Sequence, residues 1–120
     1  MVVTNDGKEL IGYLIGSTAT KPAAFAIGVG SLALTASSST LGSEVNRQAY
    51  TSTDVSTAQK ITWQADWNSV DMSGIQLSEV GIFNSTTANT GSAWSLNGSF
   101  AAITFDGSNE LQIQETWEVY

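Results

Sequence analysis

Ile61-Thr62-Trp63-Gln64-Ala65-Asp66-Trp67 alternates without a break. Ile61, Trp63, Ala65 and Trp67 fall on one side of an extended chain and Thr62, Gln64 and Asp66 on the other, the pattern of a strand half-buried in an antiparallel sheet. A second stretch, Leu111 to Val119, sets Leu111, Ile113, Trp117 and Val119 against Gln112, Gln114, Thr116 and Glu118 in the same way. Between and before these lie Ala23 to Val29 and Ile75 to Phe83, both apolar, an extended segment from Glu44 to Thr51, and Trp94 to Phe105, which reads as one strand or two short ones. Helical spacing occurs once. Asn5 or Asp6 can cap a helix from Lys8 to Ile15 that sets Leu10, Ile11, Leu14 and Ile15 on one stripe and ends at Gly16. The expected fold is therefore mainly β: an antiparallel β-sandwich with one short N-terminal helix, a single domain over residues 1–120.

The joints between these elements are polar and small. Residues 33–42 are rich in Ser and Thr and read as an ordered surface loop; residues 54–59 and 68–74 read as turns, and residues 84–91 as a mobile tip. Asp106-Gly107-Ser108-Asn109 carries the strongest turn signal and reads as a hairpin.

Ser78-Glu79-Val80-Gly81-Ile82-Phe83 places one acid and one glycine inside an apolar strand. A carboxylate removed from water costs several kcal/mol unless it is paired or accepts hydrogen bonds. Arg47, the only arginine of the chain, lies in Leu41-Gly42-Ser43-Glu44-Val45-Asn46-Arg47 and is the best candidate counter-ion. The expectation is a cluster of Glu44, Arg47 and Glu79, with Gly81 intolerant of substitution because its backbone bends at a bulge or a neighbour fills the space of a Cβ. The alternative is that all three are solvated surface charges.

Eleven acids against four scattered bases give a formal charge of −7, which disfavours a nucleic-acid partner. Cysteine and histidine are both absent, so thiolate chemistry and imidazole bases or metal ligands are excluded. No apolar run approaches the ~20 residues of a membrane-spanning helix, and no basic segment with an apolar core opens the chain. Charged residues are only 12% of the total, so the surface is polar but lightly charged, suiting a subunit packed against others or an extracellular domain.

Catalytic and ligand patterns are weak. Asp66, Asp71 and Glu79, with Trp63 and Trp67 for stacking on a sugar, form the nearest glycosidase-like set, but structural acids and core tryptophans explain the same residues. Gly28-Val29-Gly30-Ser31 lacks the Lys-Ser of a phosphate loop and the third glycine of a dinucleotide fingerprint, so Gly28 and Gly30 read as turn or bulge residues. Oxygen ligands cluster from Asp106 to Glu110 without the spacing of a calcium loop. No enzyme activity, cofactor or metal is expected.

Thr4-Asn5-Asp6-Gly7, Ala26-Ile27-Gly28-Val29-Gly30, Leu41-x-x-Glu44-x-x-Arg47 and Leu77-Ser78-Glu79-Val80-Gly81-Ile82-Phe83, followed by a final alternating strand, form an ordered series. In that order and spacing the chain resembles the tail-collar fibre and related tail-fibre or baseplate proteins of tailed bacteriophages over nearly its whole length. The resemblance implies a structural virion protein without catalysis, in which Glu44, Arg47, Glu79 and Gly81 are structural. It implies partners among copies of the chain, as a trimer or higher ring, and among other virion proteins, with no nucleic acid and no membrane. Because no shaft or receptor-binding region follows Tyr120, the expected role is an adaptor, collar, baseplate or fibre-attachment subunit. The alternatives are a capsid-surface decoration protein of the same fold and a carbohydrate-binding β-sandwich module. Leu32, Leu34, Phe83 and Trp94, near loops or strand ends, are the candidate interface residues.

Overall fold

A computed structural model describes residues 2–7, 21–31, 33–54 and 60–118. Two antiparallel sheets face each other. The larger is built from β1 (Val2–Val3), β2 (Ala24–Gly28), β3 (Glu44–Ala49), β6 (Gln76–Phe83) and β7 (Ala93–Thr104), in the order β1-β7-β6-β2-β3. The smaller holds β4 (Ser52–Asp54), β5 (Lys60–Trp67) and β8 (Leu111–Glu118), in the order β4-β5-β8. A single turn of helix, α1 (Ser69–Met72), links β5 to β6, with the Asn68 side chain accepting the Asp71 N–H as its cap. This is the antiparallel sandwich expected from the alternation. The expected helix from Lys8 to Ile15 lies outside the described residues, as does most of the turn at 54–59. Just before Lys8, residues 5–7 are helical, and there Thr4, not Asn5 or Asp6, supplies the cap by accepting the Gly7 N–H.

The alternating strands do what their pattern requires. Trp63, Ala65 and Trp67 of β5 point between the sheets, meeting Phe25 and Ile27 of β2, Ile82 of β6, Trp94 of β7 and Met72 of α1. Residues 93–104 form one strand of 12 residues, not two short ones. Chain segments 106–109 do not close a hairpin, because β7 and β8 belong to different sheets; the turn carries the chain from one layer to the other. Gly107 takes the left-handed conformation there (φ 93°), and the Asp106 carboxylate accepts the N–H of Ser108.

The larger sheet is covered on both faces, which is why all five residues of β2 are buried. Opposed residues in antiparallel strands share a face, so the pairing defines three rows on its outer side. They are Glu44, Gly28, Glu79 and Gly98; Arg47, Ala26, Gly81 and Leu96; and Ala49, Ala24, Phe83 and Ala93. Among the described residues, no second sheet lies over these rows. Segment 29–43 does, with Leu41 and Leu34 packed on Ala26, Phe83, Ala93 and Leu96 in a second, smaller apolar cluster. Small residues in the rows let this cover approach closely: a Cβ on Gly98 would sit 2.6 Å from Leu34.

Candidate functional site

Glu79 sits at the centre of the outer face and is fully buried. Its carboxylate reaches the covering loop, where Oε1 accepts the N–H of Gly30 (3.1 Å) and of Ser43 (2.6 Å) and Oε2 accepts that of Gly42 (2.9 Å). Charge-assisted bonds of this kind are roughly twice as strong as neutral ones, and three of them compensate the loss of hydration. Both ends of segment 29–43 are thereby tied to one side chain. Ser78 adds a bond from its hydroxyl to the Gly30 carbonyl (2.7 Å), and Val29 N–H bonds Ser43 C=O (3.0 Å), closing the base of the loop.

Glycines make room for the carboxylate. A Cβ at Gly28 would fall 2.3 Å from Glu79 Oε1 and 2.5 Å from the Ser43 carbonyl, and one at Gly30 would fall 2.6 Å from both carboxylate oxygens. Gly28 and Gly30 are thus required by close approach and not by positive φ; of the turn or bulge role expected for them, Gly28 does stand where the register of β2 against β3 shifts. Gly81 resists a Cβ through its neighbours: Leu96 and Phe83 each lie 2.8 Å from the position it would take.

Arg47 does not pair with Glu79. β2 runs between their strands, putting them about 10 Å apart across the sheet, and Arg47 stands in the neighbouring row. Its partner is Glu44, bound through Nε–Oε2 (3.1 Å) and Nη2–Oε1 (2.6 Å). Both side chains are nearly inaccessible, at 1% and 5% exposure. Nη1 donates to the carbonyls of Ser85 (2.9 Å) and Thr90 (2.8 Å), and the guanidinium carbon lies 4.1 Å from the centre of the Phe83 ring. Asn89 N–H bonds Glu44 Oε2 as well (3.1 Å). Segment 84–91, expected to be a mobile tip, is therefore fastened to a buried ion pair. A cleft of about 330 Å³ remains above Arg47, between residues 40–43 and 89–91.

The four charged and glycine residues singled out from sequence thus lie on one face, arranged as two adjacent anchors: Glu79 for segment 29–43, and Glu44 with Arg47 for segment 84–91. Of the candidate interface residues, Phe83 and Trp94 are only 1% exposed and belong to the two cores, which corrects their placement at the surface. Phe83 is roofed by Leu41 and Arg47, and Trp94 turns inward to Trp117, 5.5 Å between ring centres. Leu34 is half-buried over Gly98, and Leu32 lies outside the described residues.

The glycosidase-like set is not brought together. Glu79 is enclosed under the outer loop of the larger sheet, while Asp66 faces solvent from the smaller one, bonded to Thr51 (2.7 Å), Gln112 (3.0 Å) and Gln64 (3.2 Å). Those bonds, the one from Thr51 first, hold the Asp66 carboxyl below its ordinary range. Trp63 and Trp67 are 7% and 1% exposed and present no stacking platform.

Among the described residues, two polar groups in the inner core have no partner, the Tyr50 hydroxyl and the Trp94 indole N–H. Both belong to a chain of rings, Phe25, Tyr50, Trp63, Trp117 and Trp94, with successive centres 4.8–5.9 Å apart. Burial, and then the charge of Glu115, push the Tyr50 phenol well above its ordinary range. No family model, curated protein or solved structure matches the chain.

Proposed function

We propose that this chain is a structural virion protein of a tailed bacteriophage, an adaptor, collar, baseplate or fibre-attachment subunit acting through contacts with copies of itself and with other virion proteins. One observation carries the reading. The short motifs on which the resemblance rests, Gly28-Val29-Gly30, Leu41-x-x-Glu44-x-x-Arg47 and Glu79-Val80-Gly81-Ile82-Phe83, meet on one sheet face and complete one another's hydrogen bonds. Their charged groups are engaged in holding loop backbone, an arrangement suited to presenting rigid loops to a partner. A carbohydrate-binding module would instead need aromatic rings open to solvent, whereas Trp63, Trp67 and Trp94 are buried.

The test is to label the protein in infected cells and image purified particles. A fixed number of labels at the neck, tail, baseplate or fibre attachment point is the expected result. Particles devoid of the protein would overturn the reading, and labels spread over the head would favour the decoration protein instead.

A further inference from the structure

Among the described residues four strands bound the two sheets, and three of them are short or interrupted. β1 has two residues and β4 has three, and the register of β3 against β2 shifts at Ile27 and Gly28. β8 differs. It pairs with β5 in unbroken register from Trp67↔Leu111 to Lys60↔Glu118, and among the described residues its other edge pairs with nothing. Half the backbone N–H and C=O groups of an eight-residue strand face that side; the strand has no proline, lysine or bulge, and its one inward-facing charge is Glu115.

We infer that β8 is the surface through which two copies of this chain associate, by antiparallel pairing of β8 with the β8 of a second copy about a two-fold axis at Gln114. The inference rests on the assembly reading above and names the surface and the partner. Three observations select this occupant and this register. First, the exposed outward row of β8 is Gln112, Gln114, Thr116 and Glu118, and the three centred on Gln114 are uncharged, so two acidic chains meet around Gln114 without opposed charges. Second, the faces of the two copies match only if opposed residue numbers sum to an even value, since a one-residue slip turns each apolar side outward. The two such registers with most overlap centre on Gln114 or on Glu115. Glu115 stands at an inward-facing, half-buried position, and centring there would oppose it to its own copy. Centring on Gln114 instead sets Glu115 against Ile113 and Leu111 against Trp117. Glu110 and Glu118 then approach only beyond the paired core, where Lys60 lies 3.9 Å from Glu118.

Third, side-chain chemistry continues across the axis. Gln114 donates its Nε2 to Gln64 Oε1 (2.7 Å), part of a row in which Gln112 also donates to Asp66 and Thr62 bonds Thr116. An amide has two donors and an acceptor. The remaining N–H and the Oε1 of Gln114 match those of its copy reciprocally, extending the ladder from Gln64 through both Gln114 residues to the second Gln64. The smaller sheets merge into one of six strands, β4-β5-β8-β8-β5-β4. A two-fold contact of this kind joins copies in pairs, and also joins rings face to face.

The test uses the full chain in sedimentation equilibrium and native mass spectrometry. The wild type is expected at twice the mass of one chain. Gln114→Lys and Gln114→Glu, both at an exposed position, are each expected to raise the dissociation constant at least tenfold, and an equimolar mixture of the two to form a one-to-one heterodimer. Gln114→Cys, in a chain with no other cysteine, is expected to cross-link to itself with a short thiol reagent. Gln112→Cys is expected to cross-link only with Thr116→Cys. A monomeric wild type at high concentration overturns the inference. An oligomer that both charge variants leave unchanged, or that Gln114→Cys fails to cross-link, overturns it too, while leaving the virion reading to stand or fall on the imaging of particles.

Discussion

The two faces of the larger sheet are held by opposite means. Between the sheets, Phe25, Ile27, Trp63, Trp67, Ile82 and Trp94 exclude water from one another, and non-directional burial of apolar area supplies the stability. On the outer face the apolar cluster is small, and irregular loops take the place of a second sheet. A loop buried against a sheet must satisfy its own N–H groups, and Glu79 does this for Gly30, Gly42 and Ser43. The inner face tolerates two unpartnered donors, at Tyr50 and Trp94, because apolar contact holds it. On the outer face the polar groups themselves make the structure.

Glu79→Ala puts the contrast under most strain. It leaves three loop N–H groups without a partner, at about 1–3 kcal/mol each before water re-enters, so a loss on the order of 5 kcal/mol is expected in urea unfolding, enough to unfold a marginal domain. Glu79→Gln is the milder probe, because one carboxylate oxygen becomes an NH2 facing an N–H. A loss below about 1 kcal/mol for Glu79→Ala would show that the loop is held by apolar contact after all.

Arg47→Ala comes next. It strands Glu44 and frees the carbonyls of Ser85 and Thr90, and breaking a buried pair from one side costs about 3–5 kcal/mol. Its damage should be local. Amide exchange is expected to accelerate across residues 84–91 and to leave segment 29–43 protected, whereas Glu79→Gln should do the reverse. Equal acceleration in both segments would merge the two anchors into one.

Gly30→Ala tests the space around the carboxylate. Overpacking of this kind costs about 1–3 kcal/mol, and the penalty is expected to shrink markedly in a Glu79→Ala background, since the clash is with the Glu79 carboxylate itself. Additive losses would place the strain elsewhere.

These anchors also mark where sequence reading succeeds and where it stops. Period-two alternation at Ile61 to Trp67 has a single physical cause, one wet face and one dry, and the strand follows. The continuous apolar run Ala24-Phe25-Ala26-Ile27 signals cover on both faces by the same logic. Nothing in that run says that a loop supplies the outer cover. Glu79 was legible as an acid in need of compensation, and the lone arginine drew the pairing to itself. Its true partners are backbone N–H groups, which every residue carries and no sequence pattern reports. The nearest signal was the set of glycines at 28, 30 and 42, which leave the volume a carboxylate needs. β8 shows the same limit, since its alternation gave the strand but not the open edge.

The smallest expected effect has the opposite sign and belongs to the inner face. The Tyr50 hydroxyl is buried without a partner, so folding strips its water and returns no bond. Tyr50→Phe removes that group while keeping the ring stacked near Phe25 and Trp63, and stability at neutral pH is expected to rise by up to about 1 kcal/mol. The pH dependence follows from the raised phenol pKa. The neutral form is the one the fold favours, so its contribution is complete below the unfolded-state value of about 10 and is lost as pH rises from there toward the folded value. Above pH ~10 the wild type should therefore lose stability relative to Tyr50→Phe, and the gap between the two should widen with pH. Urea unfolding of both proteins at pH 7 and at several values above 10 measures it. If Tyr50→Phe is instead the less stable protein at pH 7, the hydroxyl has found a partner, and the inner face is held by polar contacts as the outer one is.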